Sequence, residues 1–353
     1  MLNADRGKPQ ALRDAAVDRG SLARGGGQSR WNVPRVLSSV LVAVTFVLLS
    51  FGALVTTYEA AMAVPDWPGT YGHNMFLFPL AEWLGGPWDL FLEHGHRLLG
   101  ATAGLVAIAL AVSAWLWPVG PRVRWLAVAA VVLVVVQGVL GGARVLLDDT
   151  TVAKVHACTG PLFFAVTVAL AVLTRRPAGV DQPSAAFSLA ATLPVAAYGQ
   201  LVAGAQLRHL DPATTPPVFH ALVGTHILIG LVVAALAYAI AAATWRSVNR
   251  AAHRWSAAAA GLVSAQLLLG GATWVAKYGL PSAVLPDAWR LSEAIVARSG
   301  SAAVIVTAHA ILGMLILAVG VVVAIAAAGR GVTAADAKPG VRRTAAGLRE
   351  ALV

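Results

Sequence analysis

The chain has 353 residues, 58% of them hydrophobic and 12% charged, with a mean hydropathy of +0.73 and a formal net charge of +10. Soluble domains carry about a quarter charged residues, so this composition excludes an ordinary soluble enzyme and points to lipid. One cysteine, Cys158, excludes an internal disulfide and any thiolate cluster for zinc or iron–sulfur chemistry.

Residues 1–35 are rich in Gly and Arg, lack an apolar run and read as a disordered basic tail without a cleavable signal peptide. Eight apolar stretches follow, at about 36–57, 96–117, 125–147, 155–173, 185–206, 218–244, 255–276 and 302–328. Each approaches the roughly 20 residues that cross about 30 Å of hydrocarbon. Residues 329–353 form a second basic tail. With the first tail in the cytoplasm and the spans alternating, only Arg97, Arg144, Lys154, Arg208, Lys277, Arg290 and Arg298 of the 26 Lys and Arg fall outside. A positive-inside bias of this size sets both termini in the cytoplasm and accounts for the basic excess without nucleic acid.

The two halves resemble each other. "QGVLGGARV" at 137–145 is echoed by "QLLLGGATW" at 266–274, "HRLLGATAGLV" from His96 by "HILIGLVVAAL" from His226, and "VHACTGPLFFA" at 155–165 by "AHAILGMLILA" at 308–318. "FGALVTTYEA" at 51–60 pairs with "YGQLVAGAQL" at 198–207. Each half holds four spans, so the repeats share one orientation. The expected fold is all-α: an N-terminal four-helix bundle over 36–176 and a C-terminal one over 185–328, related by a pseudo-twofold axis along the membrane normal. The pairs Gly141–Gly142 and Gly270–Gly271 are expected to let backbones approach closely.

Of nine histidines, four survive the repeat: His96, His156, His226 and His309. Two imidazoles per bundle on alternate helices suit a haem iron ligated from both sides. Helix–helix hydrogen bonding is the blander alternative. Two nitrogens per bundle are too few for zinc, and a proton relay would want more intramembrane carboxylates than Glu93. Glu93 is one helical turn from His96 and faces the same side, while its repeat counterpart is the apolar Val223. That asymmetry assigns chemistry to the first bundle and electron storage to the second. The competing reading of Glu93 is an i,i+4 ion pair with Arg97. His94 points to another face, and His73, His209, His220 and His253 have interfacial or solvated positions as their default.

Glu93-x-x-His96-Arg97, "QGVLGGARV" followed by His156, "QLVAGAQLRH" at 200–209 and "TTYEAAMAVPDWPGTYGHNMFLFP" at 56–79 together resemble the haem A synthase family, over about residues 40–325. The resemblance implies a bacterial plasma-membrane oxidoreductase of cytochrome c oxidase assembly, with its haem sites toward the outer face. It would oxidise a methyl group of haem O, its substrate, to the formyl group of haem A. It implies that His96 and His156 flank the substrate haem, that His226 and His309 ligate a resident haem b, and that Glu93 is required for the reaction. Arg97 is a candidate haem propionate partner, with Arg144, Arg208 and Lys277 behind it. The family also implies a haem O synthase, a protohaem farnesyltransferase, as a neighbour. The electron donor and a homo-oligomer stay open. Some members carry two cysteines in the first outer loop; this chain has none there, which excludes a redox-active disulfide. The main alternative is a di-haem membrane electron carrier that leaves haem unmodified, and a parallel-repeat transporter ranks last.

Overall fold

The computed structural model describes residues 32–175, 186–211, 213–247, 249–279 and 300–328. The expected tails lie outside the described residues except for 32–35, which open the first helix. The described chain is helical, with one isolated bridge between Thr70 and His73. Its helices are α1 (Val33–Thr57), α2 (Leu80–Gly85), α3 (Trp88–Leu116), α4 (Pro121–Leu147), α5 (Thr150–Leu173), α6 (Phe187–Arg208), α7 (Pro216–Thr244), α8 (Arg250–Tyr278) and α9 (Gly300–Ala327). A single turn of 3₁₀ helix, Ala60–Met62, follows α1.

All of these α-helices except the short α2 are long and apolar enough to cross a membrane. In lipid every backbone N–H and C=O needs an internal partner, which a continuous helix supplies. Local signals set the ends. Pro121 opens α4 and Pro216 opens α7, where a missing N–H costs nothing. Asp149 accepts from the Val152 N–H at the start of α5, and Asn249 accepts from the Ala252 N–H at the start of α8.

In the first half α1 packs on α3, α3 on α4, α4 on α5, and α5 returns to α1. In the second, α6 packs on α7, α7 on α8, α8 on α9, and α9 returns to α6. The halves meet where α5 touches α6 and α9, and where α1 touches α9. Small residues allow the close approaches: Ala103, Ala107, Ala127 and Ala130 are buried in the first half, and Ala190, Ala197, Ala237 and Ala259 in the second. The outward faces are apolar as well, with Leu105, Val135, Leu268 and Val304 exposed, as lipid contact demands.

The eight spans fall where the apolar runs predict, but α3 begins at Trp88 rather than near 96. Glu93 and His94 therefore lie within the helix, ahead of the apolar run that His96 opens. The physical reason is cover: the segment after α1 folds over this end, so Glu93 and His94 are buried although the local sequence is polar.

Candidate functional site

His96 on α3 and His156 on α5 stand across the first ring of helices, their ring centres 6.4 Å apart at 84°. His226 on α7 and His309 on α9 repeat the arrangement in the second half, at 6.3 Å and 65°. Two metal–imidazole bonds of about 2 Å on opposite sides of one iron, plus half a ring at each end, give about 6 Å between ring centres. The residues present therefore fit a haem iron in each half. Nδ1 of His156, His226 and His309 is buried without a hydrogen-bond partner, although Nε2 of His226 meets Gln200.

Each ring rests on a glycine. A Cβ on Gly52 would lie 3.0 Å from Cε1 of His96, and one on Gly141 3.2 Å from Cε1 of His156. The corresponding distances are 3.2 Å from Gly204 to His226 and 3.4 Å from Gly270 to His309. Gly141 and Gly270 therefore seat imidazoles rather than backbones. Gly142 seats a different ring: a Cβ there would strike Cδ2 of Trp67 at 2.4 Å, whereas Gly271 has open space. The contacts also correct the register between the first spans of the halves. Gly52 is matched by Gly204, not by Gly199, a five-residue slip that turns a helix by about 140°.

Trp67 belongs to the segment that closes this end of the first half. Asp66 accepts from the N–H groups of Tyr71 (2.8 Å) and Gly72 (2.9 Å). Tyr71 and Gly72 have φ of 49° and 78°, the positive pair of a tight hairpin turn, and Thr70 and His73 exchange backbone bonds across it. Burial is the largest influence on the Asp66 carboxyl and opposes ionisation. The Gly72 and Tyr71 N–H groups and nearby Arg97 outweigh it together, leaving the carboxyl below its ordinary range.

Arg97 pins this segment to α3. Nη1 donates to the carbonyls of Asp66 (2.6 Å) and Gly69 (2.8 Å), and Nη2 to that of Val64 (2.7 Å) and to Oε1 of Glu93 (2.7 Å). Oε2 of Glu93 accepts from the Val64 N–H at 2.9 Å. The ion-pair reading of Glu93 thus has direct geometry. The guanidinium is engaged on the loop, and a propionate contact would require the loop to release it. His94 is no solvated bystander: it meets Thr70 Oγ1 at 3.0 Å and packs on Phe78 and Trp83, deep under the loop.

Two more cations converge on the end of α1. Nη2 of Arg144 donates to the Ala61 carbonyl at 3.0 Å. Nη2 of Arg208 donates to the Ala53 carbonyl and to Thr57 Oγ1, and Thr307 of α9 also donates to Thr57. His209, just past α6, sits in their field. Burial first, then Arg208, Arg144 and Lys154, lower it to about 4, so it is neutral near pH 7. The sequence marked Trp67 as an interface anchor or a cap over the pocket, but did not mark His94, Thr57 or the ring-seating glycines as site residues. For three of the glycines a shared spacing was available as a signal: Gly141, Gly204 and Gly270 each follow a glutamine by four residues.

Eight span-length helices with two imidazole pairs inside them define a multi-pass helical membrane protein with paired-histidine sites. Residues 88–227, which include Glu93, His96, Arg97, His156 and His226, match the family model described as cytochrome oxidase assembly protein. The chain is 28% identical over 180 residues to a haem A synthase of Bacillus licheniformis, covering 48% of this chain and 56% of that protein. To a haem A synthase of Alkalihalophilus pseudofirmus it is 27% identical over 232 residues, 58% of this chain and 75% of the relative. It is also 33% identical over 140 residues to a protohaem IX farnesyltransferase of Halobacterium salinarum, covering 39% of the chain and 30% of that protein. The match thus spans little more than half the length of the Bacillus relative. At these modest identities the chain is similar to haem A synthases over part of its length.

Proposed function

We propose that the chain is a haem A synthase, oxidising a methyl group of its substrate haem O to the formyl group of haem A. The carrying observation is an asymmetry between two similar histidine pairs: His96 has a carboxylate one turn away, and His226 has Val223 in its place. In this reading the halves are parallel repeats related by an axis along the membrane normal. The ring contacts within each half and the shared ring spacing support it.

His96 and His156 hold the substrate haem, and His226 and His309 hold a resident haem b, which supplies one-electron redox chemistry when bound. Glu93 moves a proton at the edge of the first site or orients the water that adds there. Its two oxygens accept from Val64 N–H and Arg97, so either act begins by releasing one of those bonds. The loop over this end keeps bulk water from the substrate. The loop end faces outward across the bacterial plasma membrane, both termini lie in the cytoplasm, and a protohaem farnesyltransferase supplies haem O.

The test is to express the protein in a host that makes haem O, then extract and identify the haems. Haem A appearing only with the protein supports the synthase. Bound haem b with haem O unchanged, under air and with a competent electron donor, favours a di-haem carrier.

A further inference from the structure

The four histidines belong to a smaller repeat than the half-chain. Each ring-seating glycine lies on the helix that precedes its histidine: α1 before α3, α4 before α5, α6 before α7 and α8 before α9. One turn before these glycines stand Leu48, Gln137, Gln200 and Gln266. One turn after the histidines stand Gly100, Gly160, Gly230 and Gly313. The contacts are reciprocal. Built Cβ atoms on these second glycines would lie 3.9 Å from Leu48 Cδ1, 3.9 Å from Gln137 Oε1, 3.2 Å from Gln200 Nε2 and 3.4 Å from Gln266 Nε2. Residues four apart share a helix face, so each hairpin interlocks through two glycine seats. The unit is a two-helix hairpin, present four times.

One member differs. Gln137 and Gln266 hold equivalent places in the two halves and do the same thing: each donates its side-chain N–H to the carbonyl of the histidine opposite, His156 (3.3 Å) or His309 (3.0 Å). Leu48 and Gln200 also hold equivalent places, but act differently. Gln200 Nε2 lies 3.2 Å from Nε2 of His226, and in either orientation of the amide that ring nitrogen is engaged. Nδ1 of His226 is left buried without a partner. Leu48 has no side-chain polar group. Its backbone carbonyl accepts from Nδ1–H of His96 at 3.1 Å. A nitrogen that meets a carbonyl carries the proton, so the ring is fixed in one tautomer with the Nε2 lone pair available, as a pre-oriented metal ligand requires.

We propose that Gln200 latches His226, so that haem loads the second site only after this contact opens, and that Leu48 leaves His96 a ready ligand for repeated exchange. The proposal rests on the reading that the two pairs hold haem. It gives the single departure from the glutamine pattern a purpose. A site for a resident group is filled once and tolerates a latch, whereas a site that turns over a substrate does not. Gln200 and Leu48 act through the histidines and are positioning residues.

The test follows haem loading rather than turnover. Full-length haem-free protein is mixed with ferric protohaem in detergent, and the low-spin Soret band is timed. A His156→Ala background reports the second site and a His309→Ala background the first. The first site is expected to load faster. Gln200→Leu should speed loading of the second site about fivefold, the equivalent of one ~1 kcal/mol hydrogen bond. Gln200→Met, of similar length and without the amide, should do the same and serves if the leucine variant folds poorly. Leu48→Gln should slow the first site by a similar factor. Unchanged loading of the second site in both Gln200 variants overturns the latch. Absence of a low-spin band in either background, in protein of unaltered helical content, overturns the haem-ligand reading itself.

Discussion

Arg97 donates to Glu93 at 2.7 Å across one helical turn, and the same guanidinium holds three backbone carbonyls of the loop above. The pair is a fastening between α3 and the loop, because Glu93 also accepts from the Val64 N–H. Removing the cation alone strands a buried carboxylate and frees the loop. Breaking one side of a buried pair costs about 3–5 kcal/mol. Arg97→Ala is therefore expected to lower the thermal midpoint strongly and to expose residues 58–79 to limited proteolysis. Glu93→Ala removes one contact to the loop and leaves the three carbonyl bonds of Arg97. It should keep bound haem while losing the formyl product. An Arg97→Ala protein as stable and protease-resistant as the parent would dispose of the fastening, and normal haem A yield from Glu93→Ala would remove that carboxylate from the reaction.

The neighbouring glycines Gly142 and Gly271 supply a matched comparison. They align in the repeat, yet a methyl on Gly142 would sit 2.4 Å from the Trp67 ring, while one on Gly271 meets nothing. Overpacking of this kind costs about 1–3 kcal/mol, and an unopposed methyl stays within about ±0.5 kcal/mol. Gly142→Ala should shift the thermal midpoint down and alter tryptophan fluorescence, with Gly271→Ala close to the parent. Equal behaviour of the two would mean that Trp67 is not seated on Gly142 in the working protein.

The eight spans, the four histidines and the asymmetry between Glu93 and Val223 were legible because each rests on local chemistry: apolar length, residue type and spacing. The start of α3 was not, since "LFLEHGH" reads as polar until the loop that covers it is known. The loop contacts of Arg97 and His94 were hidden for the same reason. Their partners, Val64, Asp66, Gly69 and Thr70, lie 24 to 33 residues away in a segment with no periodicity to align. The five-residue slip in pairing α1 with α6 shows the converse. Apolar helices offer many near-equal alignments, and only the ring contacts of Gly52 and Gly204 choose among them.

Loss of one histidine should separate the two sites. His309 and His226 are packed ring against ring in the second half, and the first pair is contained in the other ring of helices. His309→Ala is expected to abolish the low-spin b-type absorbance while a haem added to the first site still gives its own low-spin band. An unchanged spectrum would refute the assignment of the resident haem to this pair.

Acid should loosen the loop end in two steps. His209 has an ordinary value of 6.5 and is lowered to about 4 in the folded chain, chiefly by burial and then by Arg208, Arg144 and Lys154. Between these values the unfolded chain binds more protons than the folded one, so stability rises with pH in that window. Falling pH therefore removes stability from about pH 6.5 down to about pH 4. Asp66 acts in the same direction but lower: its carboxyl is held below the ordinary 3.8, so its contribution is present above that value and is lost as pH falls further through its folded range. Thermal midpoints measured from pH 7 to pH 3 should decline in both ranges. His209→Asn should flatten the upper range and leave the lower one, and Asp66→Asn should do the reverse. An upper decline that survives His209→Asn unchanged would assign it to another group.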